Sequence, residues 1–254
     1  MTMKHKIDNF FREEMMGSAD VFPIISLDEQ QSEITLNDGE VLPILALRNM
    51  VIYPGVLLPV AVARPKSLKL IRHAHENDGL IGVCTQIDKN DEDPNVSQLY
   101  QMGTVAQVVR ILEMPDNSTT VILEGKKRFR LGDQVAVRPY LKAKVFPVPN
   151  AKMPDITDGV FPALISSIKD LATNIINNSG MLPPETSFAI RNIESPEFLI
   201  NYACANFGFS VSDKVRLLEI DDLMERGYQL LELLNKESQL LDLKMSIQNK
   251  AREG

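Results

Sequence analysis

The sequence predicts an α+β protein in which a small β-barrel or sandwich-like unit precedes a helical region with a long terminal helix. Three observations carry this prediction. Between residues 41 and 149, short apolar runs alternate with turns rich in glycine and proline, which is typical of small all-β units. From Val160, apolar residues recur at helical spacing. Between residues 221 and 251 the chain contains no proline and one glycine, Gly227.

The composition is that of an ordinary soluble chain. Of its 254 residues, 44% are hydrophobic and 24% are charged, close to the averages of globular proteins. No apolar run approaches the roughly 18 residues that a membrane span needs, and the first residues lack the apolar stretch of a signal peptide. Two cysteines in unrelated contexts, Cys84 and Cys204, do not suggest a disulfide framework. These features favour a cytoplasmic protein.

The charge is unevenly distributed along the chain. Nine acidic and three basic residues give the first 40 residues a net charge of −6, out of −7 for the whole chain. Such a segment buries little apolar surface, so residues 1–40 are predicted to form a flexible acidic arm. The near-neutral remainder lacks the basic footprint of a nucleic-acid-binding protein, which makes nucleic acid an unlikely partner.

The first folded unit is expected over residues 41–149. Pro59 lies inside one apolar run, and this favours an edge strand or a bend there. A helix is expected from about Ser67, with Leu70, Ile71 and Ala74 facing inward. The strands are predicted at 42–47, 56–62, 80–85, 105–112, 119–123, 127–131 and 141–145.

The second unit, residues 150–254, is predicted to be a helical bundle. Pro183-Pro184 ends a first helix, and Ser195-Pro196 has the pattern of an N-cap followed by proline at the first helical position. The helix over 221–251 would be about 45 Å long. Ser238 interrupts its apolar seam, which favours packing against its own bundle for half its length over a full coiled coil.

No catalytic or metal-binding pattern is complete. The Gly125-Lys126 pair lacks the spacing of a phosphate-binding loop, and Ser166–Lys169 fits Ser-x-x-Lys only inside an amphipathic helix. The acidic loop 88–95 has Asp93 where a calcium loop needs glycine. The three histidines and two cysteines have no metal-ligand spacing. The sequence therefore predicts no catalytic residue, no metal site and no cofactor in this stretch.

One basic cluster, Gly125–Arg130, allows two interpretations. As a nucleic-acid patch it is short and offers a single aromatic residue for stacking. As a strand it would turn Phe129 and Leu131 inward, while Arg128 and Arg130 would face outward or bind carboxylates. The strand is favoured.

Three segments resemble the signatures of one family, the N-terminal region of Lon ATP-dependent proteases. Leu42–Gly55 resembles the opening signature, a Leu-Pro-rich strand followed by an Arg-Asn pair and Pro-Gly. Leu99–Ala106 resembles a second signature centred on Gly-Thr, and Thr120–Gly125 followed by Arg128–Arg130 resembles a third, a Glu-Gly strand turn. The helical residues 160–251 are similar in layout to the bundle and long helix that follow the barrel in this family.

The resemblance implies a PUA-like barrel that helps to select misfolded, damaged and regulatory proteins for degradation. In the family, ATP and Mg are bound, and a Ser-Lys dyad cleaves peptides, in modules outside these residues; the full proteases are homohexamers acting in protein quality control and stress responses. This stretch would thus be a non-catalytic recognition and assembly region of an ATP-dependent serine protease. The alternative is a stand-alone Lon-domain adaptor or ligand-binding protein, to which the long helix would be of little use.

Candidate substrate-contacting residues are few. The basic helix face formed by Lys66, Lys69 and Arg72 could contact acidic or polar substrate segments, although a merely solvated face is the favoured interpretation. Eleven methionines could supply adaptable apolar surface, or could simply fill the core. Substrate contact by the basic helix face and by the methionines is a hypothesis.

Overall fold

The computed structural model describes residues 34–180 and 182–253. Most of the predicted acidic arm therefore lies outside the described residues. Its last part is packed against the protein: Leu36 is 9% exposed, and Ile34 is partly buried in the same apolar cluster as Leu42 and Ile44. Packing thus begins before residue 41.

In the first part of the chain, the described residues form six strands. Their order in the sheet is β2-β5-β4-β3-β1-β6, and β5 also pairs with β6, so the sheet closes on itself into a barrel. β1 runs parallel to β3, and every other pairing is antiparallel. The strands are β1 (Glu40–Leu47), β2 (Leu57–Val62), β3 (Leu80–Thr85), β4 (Met102–Glu113), β5 (Thr119–Ala136) and β6 (Lys142–Pro147).

The two strands predicted at 119–123 and 127–131 are one. β5 runs without interruption for 18 residues, so this prediction was wrong. In its pairing with β4, Val105 lies opposite Lys127 and Ala106 lies opposite Gly125, which leaves Lys126 as an extra residue in a bulge. The bulge bends β5 at the place where the sequence suggested a turn, so a single strand can pair with β2 and β6 at its two ends.

Helix α1 (Pro65–Glu76) packs against strands of the barrel. Leu70, Ile71 and Ala74 are buried on its inner side, as predicted, and pack with residues of β1, β2 and β3. Among the described strands β2 pairs with β5 alone, so Pro59 lies on an edge strand, which confirms that prediction.

Five helices follow in the second part of the chain, counted over its described residues. Ser195 caps α4 as predicted, because its hydroxyl accepts a hydrogen bond from the backbone N–H of Phe198 at 3.2 Å. The break predicted at Pro183-Pro184 separates α2 from α3, which begins at Pro184. The helices are α2 (Val160–Ser179), α3 (Pro184–Asn192), α4 (Pro196–Asn206), α5 (Val211–Glu219) and α6 (Leu223–Glu253).

Helix α6 is 31 residues long and packs against the bundle over its first half. Leu223, Leu230 and Leu234 are completely buried, and Ser238 is the last buried residue. Beyond residue 241 the described side chains are exposed, Leu243 and Ile247 among them. The prediction of bundle packing over half the helix is confirmed.

The barrel and the helices share one continuous core. Tyr53, Val56 and Met102 belong to the barrel, yet they are buried in the same cluster as the bundle residues Phe161 and Leu199. Met102 therefore fills core space, whereas Met153 is 51% exposed. Because the cluster extends across both parts, the barrel is fixed in position relative to the helices.

Candidate functional site

A groove of about 430 Å³ opens where the start of α1 meets the connection between β5 and β6. Its apolar surface comes from Ile44, Ala46 and Leu70 together with Val137, Tyr140 and Leu141. Its rim is polar and charged, formed by Arg64, Lys66, Ser67 and the loop Glu92–Asn95. Its volume and its apolar lining with a polar rim are those of a ligand-binding cleft.

The aromatic side chain of the groove, Tyr140, packs against neighbouring residues on the side away from solvent. Tyr140 is 6% exposed and packs with the α1 core residues, with its ring 6.3 Å from that of His73. The ammonium of Lys142 lies 5.6 Å from the centre of the same ring, at cation–π distance. Val137, in contrast, is 45% exposed at the mouth of the groove. The groove therefore offers apolar surface to solvent on a firm support.

A buried glutamine orients the charged rim. Gln86 is 2% exposed; its amide N–H groups donate to the carbonyls of Asp88 and Asp91, at 3.0 and 2.9 Å, and its oxygen accepts a hydrogen bond from Arg64. Two rim carboxylates are paired, Asp93 with Lys66 and Glu92 with Arg48 at 3.6 Å. The hydrogen bond from Arg64 goes to a neutral amide. Burial and the nearby Arg48 lower the pKa of Arg64, while the carboxylates of Glu92 and Asp93 oppose this shift.

The predicted contact residues lie on the outer side of α1. Lys66 is at the groove rim, where it pairs with Asp93. Lys69 and Arg72 line a shallower depression further along the helix, and Arg72 lies 3.8 Å from Glu113. The structure thus brings one of the three to the groove.

No pattern in the sequence predicted most of the groove residues. Val137, Tyr140 and Leu141 follow the end of β5, and Ile44 and Ala46 lie on β1, nearly a hundred residues earlier. Only their pairing through β6 brings them together. One local signal was present: Val135-Ala136-Val137 is a short apolar run between Gln134 and Arg138. In the structure both valines are exposed.

A buried polar junction fixes the groove-bearing barrel to the long helix. Arg226 of α6 is completely buried; its guanidinium donates to the carbonyl of Ile220, at 2.6 and 3.1 Å, and to the side-chain oxygen of Asn201 at 2.7 Å. The amide of Asn201 donates in turn to the carbonyl of Pro54 in the barrel, at 3.2 Å. The hydrogen bonds through Asn201 thus connect α6, α4 and the barrel. Those to Ile220 bind α6 to the residue that follows α5.

Arg128 makes the same connection from the barrel side. It is 3% exposed, and it donates to the carbonyls of Leu218 and Pro149 at 2.8 and 3.1 Å. Its guanidinium also lies 2.9 Å from the carboxylate of Asp221. The expected carboxylate contact of the basic cluster is confirmed here, but Arg128 is buried, whereas Arg130 is exposed as expected. The cluster is thus largely part of the junction.

Burial suppresses ionisation around this junction. Tyr53 donates a hydrogen bond to the carbonyl of Lys214, and burial raises the pKa of the Tyr53 phenol. Burial also raises the pKa of Cys204 to about 12, and raises that of Cys84. Both thiols are therefore un-ionised near neutral pH and unsuited to act as nucleophiles.

The incomplete catalytic patterns have structural explanations. The ammonium of Lys169 donates to the carbonyls of Arg191 and Ile193, at 3.2 and 2.6 Å, so it caps the end of α3 rather than activating Ser166. Gly125 and Lys126 lie inside β5, where Lys126 pairs with Glu124 at 2.9 Å, and they do not fit a nucleotide phosphate. The described residues include no cluster suited to a metal ion, and none of the described helices is long and apolar enough to span a membrane.

This fold, a barrel joined to a helical bundle that ends in a long helix, is that of a known class of domain, which comparison with known families identifies. Residues 41–236 match the family described as the ATP-dependent protease La (LON) substrate-binding domain. The chain belongs to this family.

Similar proteins extend well beyond the region matched here. The chain is 42% identical over 249 residues to the Lon protease of Flavobacterium johnsoniae, covering 97% of the chain and 30% of that protein. It is 45% identical over 236 residues to the Lon protease of Parabacteroides distasonis, covering 92% of the chain and 29% of that protein. The chain thus spans about 30% of the length of these relatives.

Solved structures share the fold. The N-terminal domain of Lon protease from the Mycobacterium avium complex aligns with a TM-score of 0.61 at 18% identity, covering 77% of the chain and 98% of that domain. The Lon N-terminal domain protein of Xanthomonas campestris aligns with a TM-score of 0.55 at 18% identity, covering 76% and 98%. The predicted α+β fold class, that of a Lon N-terminal region, is therefore confirmed.

Proposed function

We propose that this chain captures exposed apolar segments of unfolded polypeptides in the groove between α1 and the β5–β6 connection. The observation that carries the proposal is the groove itself, with exposed Val137 beside the supported ring of Tyr140. A folded protein buries such segments, whereas an unfolded one exposes them, so this surface distinguishes the two by apolar contact.

The charged rim supports binding without demanding one sequence. Lys66 and Asp93 compensate each other, so the rim carries few charges that would exclude a passing chain. Arg64 remains to attract an acidic residue next to the apolar segment. Lys69 and Arg72 lie further along α1 and would contact a longer substrate. This combination favours broad substrate selection.

The remainder of the proposed activity belongs to a larger protein. The relatives named above are more than three times as long as the region aligned here. We place this chain in an ATP-dependent serine endopeptidase of the Lon type, a cytoplasmic homohexamer whose other modules bind ATP and Mg and carry the Ser-Lys dyad. In such a protein the rigid junction at Arg226 would hold the groove at a set distance from those modules, along the 31 residues of α6.

Binding of a permanently unfolded protein tests the groove. Fluorescein-labelled, reduced and carboxymethylated α-lactalbumin is titrated with the chain, and anisotropy is recorded. A Val137→Asp substitution places a charge on the apolar mouth, and we expect it to weaken binding about tenfold, as loss of one well-packed apolar contact does.

Val135→Asp is the matched control. Val135 is 50% exposed, two residues from Val137, and does not line the groove, so its substitution should leave binding unchanged. Equal weakening by both substitutions would contradict the proposed site. Absence of binding by the unsubstituted chain at high concentration would contradict a direct recognition role.

A further inference from the structure

We infer that residues 21–29 of the same chain dock in this groove as an internal competitor of polypeptide substrates. The inference rests on the proposed function, since it assigns an intramolecular occupant to the proposed site. Three independent observations point to it: the composition of the segment, the place where the described chain begins, and the charge left on the groove rim.

The segment has the composition that the groove would select. Val21-Phe22-Pro23-Ile24-Ile25 is an apolar run within a strongly acidic stretch, and Asp28-Glu29 follow it closely. An apolar run next to two carboxylates complements a groove with an apolar lining and Arg64 on its rim.

The described chain begins beside the groove. Ile34 packs in one apolar cluster with Ile44, Ala46 and Leu141, and these three residues also line the groove. Leu27 precedes Ile34 by seven residues, which can span up to about 25 Å when extended. This reach is comparable to the diameter of a small domain, so residues 21–29 can reach the groove from Ile34.

The rim supplies a cation for the acidic pair. Glu92 and Asp93 are bound to Arg48 and Lys66, so they are compensated at the rim. Arg64 is near the same two carboxylates, but its hydrogen bond goes to the neutral oxygen of Gln86, so three cations at the rim face two carboxylates and one positive charge is in excess. Asp28 or Glu29 would add a carboxylate to Arg64 while Phe22 and Ile24 or Ile25 fill the apolar surface.

Tethering makes a weak interaction effective. A short flexible linker gives its ends an effective concentration in the millimolar range. If the segment binds the groove with a dissociation constant of about 0.2 mM, an effective concentration of about 1 mM occupies most grooves and weakens binding of an external chain about fivefold or more. A substrate with a longer or more apolar exposed segment would still displace it, so the arm would raise the threshold for capture.

The test uses the whole 254-residue chain and the labelled α-lactalbumin probe described above. Phe22→Ser, Ile24→Ser and Ile25→Ser are combined in one variant, which removes the apolar side chains of the segment and preserves its charge and length. We expect this variant to bind the probe about fivefold more tightly. Phe10→Ser with Phe11→Ser is the matched control, and it should bind like the unsubstituted chain.

The outcomes separate this inference from the proposed function. Unchanged affinity of the triple variant, with Val137→Asp still weakening binding, overturns the internal competitor and leaves the groove intact as a binding site. Loss of the Val137→Asp effect overturns the proposed site, and the inference with it. A gain in affinity that grows with protein concentration would place the segment in the groove of a second molecule, and would also overturn the inference.

Discussion

At the scale of single residues, two glycines show how closely the parts of this molecule approach each other. A Cβ atom on Gly125 would overlap the backbone carbonyl oxygen of Tyr53, in the turn that leads to the helical core. Gly125 also exchanges backbone hydrogen bonds with that turn, accepting from Gly55 at 2.8 Å and donating to Val56 at 3.0 Å. In α6, a Cβ on Gly227 would lie 2.9 Å from the end of the Leu164 side chain.

These contacts predict responses of different size to the same substitution. Gly125→Ala should lower the free energy of unfolding by about 3 kcal/mol or more, because the backbone it meets cannot move without breaking the β5 pairing. Gly227→Ala should change it by less than about 1 kcal/mol, because Leu164 can shift and alanine favours the helix by about 1 kcal/mol. Urea denaturation of both variants measures the difference; similar values for the two would refute the close approach at Gly125.

The sequence predicted the burial of those residues whose contacts depend on the periodicity of their own helix or strand. The inward face of α1 and the inward Phe129 followed from periodicity within a few neighbours. The burial of Arg128 did not, since its acceptor at Leu218 lies 90 residues away in the sequence. The sequence did not predict the groove for the same reason. The segments that form its walls carry no distinctive pattern, and they meet only because β6 pairs with both β1 and β5.

At the scale of elements, helix α6 changes character along its length. Glu237 lies near the end of its packed half, and one of its carboxylate oxygens is buried without a hydrogen-bond partner in the described structure. Burial raises the pKa of Glu237, while a backbone hydrogen bond from Gly208 and the charge of Lys214 oppose the shift. Ionisation of Glu237 is therefore less favourable in the folded chain than in the unfolded chain.

The sign of that shift predicts a pH dependence. Since the pKa of Glu237 is higher in the folded than in the unfolded chain, the folded state binds more protons, and stability falls as pH rises through the raised pKa. Glu237→Gln removes this loss, so it should raise the free energy of unfolding by about 0.5 kcal/mol at pH 8 relative to its effect at pH 4. Urea titrations at both pH values test this; a larger gain at pH 4 would contradict the assigned shift.

At the scale of the whole molecule, the buried junction joins the groove-bearing barrel to a long helix. Arg226 makes three hydrogen bonds at this junction, and Arg128 adds a connection from the barrel side. A core that extends across both parts surrounds these bonds. The junction and the shared core therefore set the orientation of α6 relative to the barrel.

Removing Arg226 tests this connection. Arg226→Met should lower the free energy of unfolding by about 3 kcal/mol, because the carbonyl of Ile220 and the amide oxygen of Asn201 lose buried donors. Arg216→Met is the control: Arg216 forms an exposed pair with Asp213 at 3.0 Å, and its loss should cost less than about 0.5 kcal/mol. Comparable small losses for both would show that the junction is not a structural link.

The most direct test of the central claim maps where an unfolded polypeptide binds. Backbone hydrogen exchange of the chain is followed by mass spectrometry, with and without saturating reduced and carboxymethylated α-lactalbumin. The groove predicts slower exchange in residues 64–70, 92–95 and 137–141, and unchanged exchange in the exposed end of α6 beyond residue 241. Protection confined to α6, with none around the groove, would contradict it.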